Sequence, residues 1–388
     1  MSIYLDSSAT TAPRLEVIEL VTKILRDGWG NPSSLHSWGE RAALILEKAR
    51  WQVADLLNAS SPDNIIFTSG GTEADNLAIF GITSHYHQPQ HLIISSVEHS
   101  AIARPVEFLE KKGWQVTKLP VNRQGRVNPE DLKNILQENT VLVSIIYGQS
   151  EVGTIQPIKE LVNITKNHSQ ALFHTDAVQV VGHLPVDVEN LGVDLLSLSG
   201  HKFYSIQGAG ALYLKKGISL NPLCHGGGQE NGLRGGTPSL PAIASLGLAA
   251  HLAQKEIESE TLRLIGLRDY FIDLMLSKYP HLSLTGDKYH RLPHHAGFLI
   301  NYPDKEITGR KIVRDLSLKG IAISAGSACN SGKSLPSPVL LAMGYSPTEA
   351  LKGIRFSFDR YTTKEDLKLT VGVIDELFLS FFKHHIAE

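Results

Sequence analysis

The chain has 388 residues, of which 42% are hydrophobic and 20% are charged, and its formal net charge is −2. Such a composition is typical of a globular protein of about two to three domains, and the near-neutral charge argues against direct nucleic-acid binding. No apolar run is long enough to span a membrane, and two cysteines are too few for a disulfide scaffold or a Cys-rich zinc site.

The first 250 residues alternate strand-like and helix-like segments, which predicts an α/β domain with a mainly parallel sheet. Most of the strand segments are apolar on both faces, as expected for strands that are covered by helices on each side. We expect strands at residues 64–68, 91–95, 141–147, 172–174, 193–198 and 210–214. We expect helices at residues 41–57, 72–82, 103–112 and 129–137.

A long charged helix is expected at residues 240–279. The pattern changes after about residue 250, and shorter strands follow this helix. These strands are expected at residues 297–301, 321–324 and 353–358. We interpret the region as a smaller α+β domain against which the N-terminus packs. The predicted boundaries are 14–255 for the large domain, with 1–13 and 256–388 forming the smaller one.

Two strand ends carry the residues of a pyridoxal phosphate site. Asp176 ends one apolar run, and Lys202 follows another through a Ser-Gly-His turn. A lysine amine condenses with the cofactor aldehyde, and a carboxylate holds the pyridine nitrogen protonated. Alone, Lys202 would be interpreted as a solvated lysine and Asp176 as a helix cap, but their combination favours the cofactor.

Residues around these two provide contacts for a phosphate and a ring. Gly71 and Thr72 open a helix, where free N–H groups attract a phosphate, although Thr72 as a plain N-cap is an equal alternative. Ser199 and His201 add further phosphate donors next to Lys202. Gln179 would donate to the ring's phenolate oxygen.

His99 follows a strand end, where most histidines are structural hydrogen-bonding groups. A flat imidazole at this position would instead stack on the pyridine ring and relay protons, because its ordinary pKa lies near neutrality. Both interpretations stay open from the sequence.

A cysteine, an arginine and a glycine-rich segment complete the candidate residues. Cys329 lies in a run of small polar residues, which suits an exposed, mobile nucleophile, whereas Cys224 is interpreted as structural. Arg355 alternates with apolar residues in a strand and suits a substrate carboxylate, with a surface arginine as the alternative. Residues 226–237 form either a flexible linker or a second phosphate-binding element.

With these residues in order, the chain resembles the cysteine desulfurases of the NifS/IscS type, in the class V aminotransferase group of fold-type I pyridoxal phosphate enzymes. The resemblance implies a large domain with a mainly parallel seven-stranded sheet, a smaller α+β domain and a homodimer. The few cysteines and a start that does not resemble a signal peptide make the cytoplasm the expected location. It extends over nearly the whole chain. The matching segments are Tyr4–Asp6, Gly30–Ser34, Thr68–Asn76, Glu98–His99, His174–Gln179, Ser199–Lys202, Gly226–Thr237, Gly326–Cys329 and Arg355–Ser357.

The resemblance also implies a role for each residue. Lys202 would attach to the cofactor and later move the α-proton of L-cysteine, while Arg355 would bind its carboxylate. Cys329 would attack the substrate sulfur, which leaves alanine and an enzyme persulfide for iron–sulfur cluster assembly or thio-modification. The cofactor contacts would be Gly71, Thr72, His99, Asp176, Gln179, Ser199, His201 and, from the other subunit, Thr237.

Two departures from the family pattern leave alternatives open. Ser150, preceded by Gln149, replaces an asparagine that helps to hold the ring oxygen and the substrate carboxylate, so we expect a weaker grip on both. Ser205-Ile206-Gln207 after Tyr204 removes a lysine near the site. The alternatives are a pyridoxal phosphate lyase or aminotransferase for another small amino acid or selenocysteine, and a degenerate paralogue that binds sulfur carriers. No metal, nucleic acid or membrane is expected, and the sulfur-acceptor protein is not identified.

Overall fold

The computed structural model describes residues 2–302, 307–326 and 335–384, with side chains described as far as residue 379. The strands are β1 (Ile3–Tyr4), β2 (Ile65–Thr68), β3 (His91–Ser95), β4 (Gln115–Leu119), β5 (Thr140–Ser144), β6 (Leu172–Asp176), β7 (Leu195–Ser199), β8 (Gly210–Leu214), β9 (Leu282–Leu284), β10 (His295–Ile300), β11 (Ile321–Ala322) and β12 (Gly353–Ser357). The α-helices are α1 (Leu15–Lys23), α2 (Ser37–Leu56), α3 (Gly71–Thr83), α4 (Ser100–Glu110), α5 (Pro129–Ile135), α6 (Ile158–His168), α7 (Val188–Leu191), α8 (Leu240–Lys278), α9 (Gly309–Leu318), α10 (Pro338–Ala342), α11 (Pro347–Ala350) and α12 (Lys364–His384).

Seven of these strands form one sheet in the order β2-β8-β7-β6-β5-β3-β4. The strands from β4 to β7 in this order run parallel, whereas β8 is antiparallel to both β2 and β7. The prediction of a mainly parallel seven-stranded sheet is therefore confirmed. The strand β4, at the sheet edge, was not among the predicted strands.

Both faces of this sheet are buried, which explains the near-continuous apolar runs in its strands. Val143 and Leu196 lie in one hydrophobic cluster, and their sequence neighbours Leu142 and Leu195 lie in another. This alternation is the two-residue period of a strand, and helices cover the sheet on each side. In a parallel sheet of this kind the carboxyl ends of the strands meet at one edge, where ligands bind.

A second, antiparallel sheet in the order β12-β10-β9 builds the smaller apolar cluster around Phe271, Phe298 and Phe356. The N-terminal strand joins this region, since Ile3 pairs with Ile321 across the parallel strands β1 and β11. The domain boundaries stay a prediction, because α8 continues unbroken through residue 255.

Among the described helices, none is both long enough and apolar enough to cross a membrane.

Candidate active site

A cavity of about 220 Å³ opens at the carboxyl ends of β6 and β7, next to β12. The structure brings most of the predicted site residues to its wall. These are Gly71, Thr72, His99, Ser150, Asp176, Gln179, Ser199, His201, Lys202 and Arg355. Their positions span 285 residues of sequence (355 − 71 + 1), so the fold rather than the local sequence assembles them.

Lys202 lies at the end of the short 3₁₀ turn Gly200–Lys202 that follows β7. Its Nζ atom donates to the carbonyl oxygens of Ser8 at 2.6 Å and Ala9 at 2.8 Å. Gln179 Nε2 donates to the same Ser8 carbonyl at 2.9 Å. The N-terminal segment thus places the lysine and the amide side by side. Sequence reasoning missed Ser8 and Ala9, although a polar run directly after a short strand marks their position.

Asp176 is the last residue of β6 and is 4% exposed. Burial raises the pKa of its carboxyl, while the electrostatic effects of the neighbouring His99 and Lys202 act in the opposite direction. Its Oδ1 atom accepts the backbone N–H of Val178 at 3.0 Å, within a turn rather than at the start of a helix. The helix-cap alternative is therefore wrong. Asp176 instead contributes a buried carboxylate to the wall of the cavity.

A second carboxyl, that of Asp75 on α3, lies beside Asp176 and was missed from the sequence. It is 1% exposed, and its Oδ1 atom has no hydrogen-bond partner among the described residues. Burial and the charge of Asp176 raise its pKa. Carboxylate oxygens of Asp75 and Asp176 and a ring nitrogen of His99 lie within 4.8 Å of one another. At this spacing the three groups can share one cation or one protonated ring nitrogen. The signal in the sequence was an acidic residue one helical turn beyond Gly71.

The buried imidazole of His174 packs behind the two aspartates. It lies between the hydroxyl oxygens of Ser144 and Ser197, each 2.9 Å from a ring nitrogen, and 3.7 Å from Asp75. Burial lowers the pKa of His174 to about 3, so the ring is neutral near pH 7.

His99 has the structural hydrogen-bonding role that its position predicts, and its stacking on a cofactor ring stays a prediction. It is the N-cap of α4, and its Nδ1 atom accepts the N–H of Ala101 at 3.2 Å. Because Nδ1 is an acceptor, the proton of the neutral ring lies on Nε2. The ring also lines the cavity, so one histidine caps a helix and presents a flat face to the site.

The start of α3 lines one end of the cavity, which suits an anion and is called the anion end below. The helix begins at Gly71, and Gly70 at the N-cap provides no side-chain hydrogen bond, so the first N–H groups stay open to a ligand. Thr72 lies in the first turn, and the interpretation of Thr72 as the N-cap is wrong. A Cβ atom on Gly71 would lie 2.7 Å from Val178 Cγ2, which is too close, so the turn requires glycine.

His201 completes this end of the cavity beside Ser199. Its Nδ1 atom is 3.1 Å from the Thr10 hydroxyl oxygen. Burial, together with the charge of Lys202, lowers the pKa of His201 to about 4. A neutral ring that accepts the Thr10 hydroxyl proton at Nδ1 presents Nε2–H as a donor.

Arg355 lies on β12 between core residues Ile354 and Phe356 and faces the cavity, as its alternation predicts. At 4% exposure the alternative of a surface arginine is wrong. Its Nη1 atom donates to the Ser150 carbonyl at 2.9 Å and its Nη2 atom to Asp6 at 2.7 Å. Its buried Nε–H has no hydrogen-bond partner among the described residues, and the residue lines the cavity.

The departure at Gln149 has a structural role. Its side-chain oxygen accepts the N–H groups of Glu151 at 2.6 Å and Val152 at 3.0 Å, which fixes the turn that presents Ser150. Ser150 lines the cavity with a shorter side chain than an asparagine would place there.

Two of the described residues singled out from the sequence, Thr237 and Cys224, do not line this cavity. Thr237 is exposed and lines a separate cavity of about 120 Å³ with residues of the glycine-rich segment. Cys329 lies outside the described residues. Cys224 is a free, exposed cysteine, and its interpretation as structural stays a prediction.

The donor set fits pyridoxal phosphate. An amine and a buried carboxylate line the same cavity, and a flat imidazole lies near the carboxylate. An uncapped helix start with a hydroxyl and a neutral histidine lies at the anion end. Arg355 lies apart from this anion end and suits a second, carboxylate-bearing molecule.

The comparisons with known proteins agree with this geometry. The family described as "Aminotransferase class-V" matches residues 3–369. The cysteine desulfurase IscS of Dictyoglomus turgidum is 46% identical over 97% of this chain and 94% of its own length. The cysteine desulfurase IscS of Methanosarcina thermophila is 43% identical over 97% of this chain and 92% of its own length. A solved structure titled "NIFS-LIKE PROTEIN" superposes with a TM-score of 0.91 at 34% identity, over 98% of this chain and 100% of that one.

Proposed function

Since the chain belongs to the class V aminotransferase family and is a pyridoxal-phosphate-dependent cysteine desulfurase, we propose that its sulfur passes from L-cysteine to Cys329 through the cavity at Lys202. The observation that carries the proposal is the convergence of Lys202, Asp176 and Arg355 on one cavity. A reactive amine, a ring-nitrogen partner and a carboxylate-binding group are the three chemical requirements of an amino-acid site of this kind.

In this proposal Lys202 holds the cofactor covalently and Asp176 keeps a proton on its ring nitrogen. The bound cofactor supplies an electron sink that weakens the bonds to the substrate's α-carbon. His99 lies against the ring and Gln179 donates to its phenolate oxygen. The phosphate is held by Gly71, Thr72, Ser199 and His201, where α3 supplies unpaired N–H groups.

The substrate would lie between Lys202 and Arg355. Arg355 binds its carboxylate through the guanidinium, and the Lys202 amine, once released from the cofactor, carries the α-proton. A Cys329 thiolate then attacks the substrate sulfur: the sulfur–sulfur bond forms, the carbon–sulfur bond breaks, and a proton reaches the carbon to give alanine. Support for this reach comes from Ser324, five positions earlier (329 − 324), which pairs with Arg355 through hydrogen bonds of 2.8 and 3.1 Å.

We further propose that two copies of the chain form the working enzyme. Thr237 does not line the cavity of its own chain, which leaves it available to a second copy. The first fifty-one residues also expose several large apolar side chains, which a second copy of the chain would cover. These include Leu15, Ile18, Leu25, Trp29, Leu35, Trp38, Leu44 and Trp51. Sedimentation of the purified chain should give a dimer mass.

The cellular setting follows from the same proposal. A persulfide on Cys329 would be passed to a sulfur-acceptor protein for iron–sulfur cluster assembly or thio-modification, in the cytoplasm. The alternatives of another small amino acid or selenocysteine as substrate receive no support from the relatives, whose names specify cysteine desulfurase.

A paired substitution tests the proposal. The wild-type protein should be yellow when supplied with pyridoxal phosphate and should release sulfide and alanine from L-cysteine in the presence of a reductant. Lys202→Ala should lose both the covalent absorbance band and the release of sulfide. Lys216→Ala, at an exposed lysine beyond β8, should keep both. A Lys202→Ala protein that still released sulfide at the wild-type rate would overturn the assignment.

A further inference from the structure

The glycine-rich segment that carries Thr237 has an unusual backbone at its centre. Glu230 and Asn231 adopt left-handed conformations, with φ of 48° and 55°, and Gly232 follows with φ of 82°. Residues with side chains rarely adopt this region, so two in succession need compensation from the surrounding structure. A flexible linker, one of the two interpretations of this segment, would not hold such a conformation.

Arg50 on α2 provides that compensation through a buried ion pair. Its Nη1 and Nη2 atoms lie 2.7 and 2.8 Å from the two carboxylate oxygens of Glu230, and the Glu230 side chain is 3% exposed. Glu230 also accepts the N–H of Phe67 at 2.8 Å, while Arg50 donates to the Ile65 carbonyl at 2.6 Å. The pair thus ties the centre of the segment to strand β2. A bidentate pair of this kind fixes direction as well as distance.

A second ion pair ties the same segment to the anion end of the cavity. Arg234 Nε lies 2.9 Å from Glu73 Oε1, and Glu73 Oε2 accepts the N–H of Ser69 at 2.8 Å. Glu73 lies in the first turn of α3, directly after Thr72. The segment is therefore held at two points, and Thr237 lies three residues beyond the second (237 − 234).

We infer that Arg50 and Glu230 are positioning residues that hold the segment so that Thr237 reaches the cofactor phosphate of the partner subunit. This inference rests on the proposed function and on its homodimer. Neither residue lines the main cavity of its own chain. A substitution of either one should therefore change the affinity for the cofactor by shifting the glycine-rich segment. The consequence is specific: a defect in Glu230 should weaken the site of the other subunit.

The first test compares the affinity for pyridoxal phosphate of two matched variants. Glu230→Gln keeps the size of the side chain but removes the charge that binds Arg50. Glu47→Gln removes a different carboxylate from the same arginine, 3.2 Å from Arg50 Nε and half exposed, without touching the segment. In titrations followed by the covalent absorbance band, Glu230→Gln should bind the cofactor about tenfold more weakly, and Glu47→Gln should match the wild type. Equal affinity of the wild type and Glu230→Gln would overturn the inference.

Hybrid dimers, purified with two different tags, separate positioning from simple damage to the fold. In each hybrid only one subunit keeps Lys202, so only one site gives the absorbance band. When Glu230→Gln is paired with Lys202→Ala, the readable site receives an intact segment from its partner, and its affinity should return to the wild-type value. When a Glu230→Gln, Lys202→Ala double variant is paired with wild type, the readable site should be about tenfold weaker. The reverse pattern would mean that Glu230 acts within its own subunit, and the inference would fail.

Arg50→Lys provides the same comparison if Glu230→Gln does not fold. A lysine keeps the charge but cannot form the bidentate pair, so its hybrids should show the same crossed pattern with a smaller change. The proposed function has a separate test, and it would be wrong if the wild-type protein released no sulfide from L-cysteine. A monomeric wild type that releases sulfide would overturn the proposed homodimer and the positioning inference but leave the proposed sulfur transfer intact.

Discussion

Asp6 and Arg355 are 349 positions apart in the sequence, yet the Arg355 Nη2 atom lies 2.7 Å from Asp6 Oδ1. The ion pair joins the segment after β1 to strand β12, and both side chains are largely shielded from solvent. Together with the Ser150 carbonyl, Asp6 fixes the plane of the guanidinium at the wall of the cavity. The arginine is thus oriented before any substrate binds, which lowers the entropy lost on binding.

Arg355→Lys should raise the KM for L-cysteine by roughly tenfold or more, because a lysine cannot reproduce the fixed hydrogen bonds of the guanidinium. The covalent absorbance band should be unchanged, since Arg355 is not among the cofactor contacts. Steady-state sulfide release measures the KM. Arg360→Lys, at a partly exposed arginine paired with Glu256, is the matched control and should behave as wild type. An unchanged KM in Arg355→Lys would remove Arg355 from the substrate site.

Asp176→Asn should lower kcat by about a hundredfold, since an amide does not hold the ring nitrogen protonated and charge stabilisation in the reaction is lost. Single-turnover consumption of L-cysteine measures the step without product release. Asp187→Asn serves as the control, because Asp187 caps the short helix α7 and asparagine caps equally well. If Asp176→Asn turned over as fast as this control, the ring-nitrogen assignment would be wrong.

The stability of the protein should fall on acidification partly because of His183. Burial lowers the pKa of this histidine to about 4, from an ordinary value of 6.5, and its Nε2 atom lies 2.9 Å from the Lys202 carbonyl oxygen. Below pH 6.5 the His183 imidazole is therefore protonated in the unfolded chain, whereas in the folded chain it stays neutral down to about pH 4. His183 thus stabilises the fold above pH 6.5, and this contribution, up to about 3 kcal/mol, is lost as the pH falls to 4.

Urea unfolding at several pH values between 7 and 4 measures this effect. In His183→Asn the free energy of unfolding should fall less steeply over this range than in the wild type. Parallel pH profiles for the two proteins would show that His183 does not contribute.

Ser150→Asn should restore a longer side chain with an additional donor to the cavity wall. We expect it to lower the KM for L-cysteine by roughly threefold, the effect of one neutral hydrogen bond. Ser150→Ala should not lower it. The two variants can be compared in the same sulfide-release assay. A KM in Ser150→Asn above the wild-type value would contradict the prediction that serine holds the substrate carboxylate more weakly than asparagine.

The central strands were predictable from the sequence because burial on both faces leaves nearly continuous apolar runs. His91–Ser95 and Gly210–Leu214 match the predicted segments at both ends. The strand Gln115–Leu119 was missed because it lies at the sheet edge, where its alternating polar residues meet solvent. Helix starts were placed too late where a histidine provides the cap, as His36 does for α2 and His99 does for α4.

The site residues were predictable where they follow strand ends, since parallel strands bring those ends to one edge. Asp176, Ser199 and Lys202 are of this kind. The contacts of Lys202 with Ser8 and of Arg355 with Asp6 were not predictable, because they join segments 194 and 349 positions apart that only the complete fold brings together. The buried position of Asp75 was likewise hidden, since a charged residue early in a helix usually faces solvent.

The persulfide mechanism is tested most directly by sulfide release from L-cysteine in two variants, each of which keeps one of the two cysteines. Cys329→Ala should keep the covalent absorbance band but release no sulfide in the presence of a reductant, because the acceptor of the sulfur is gone. Cys224→Ala, which lacks the exposed cysteine outside the cavity, should release sulfide at the wild-type rate with equimolar alanine. A Cys329→Ala protein that releases sulfide as fast as Cys224→Ala would contradict the persulfide mechanism.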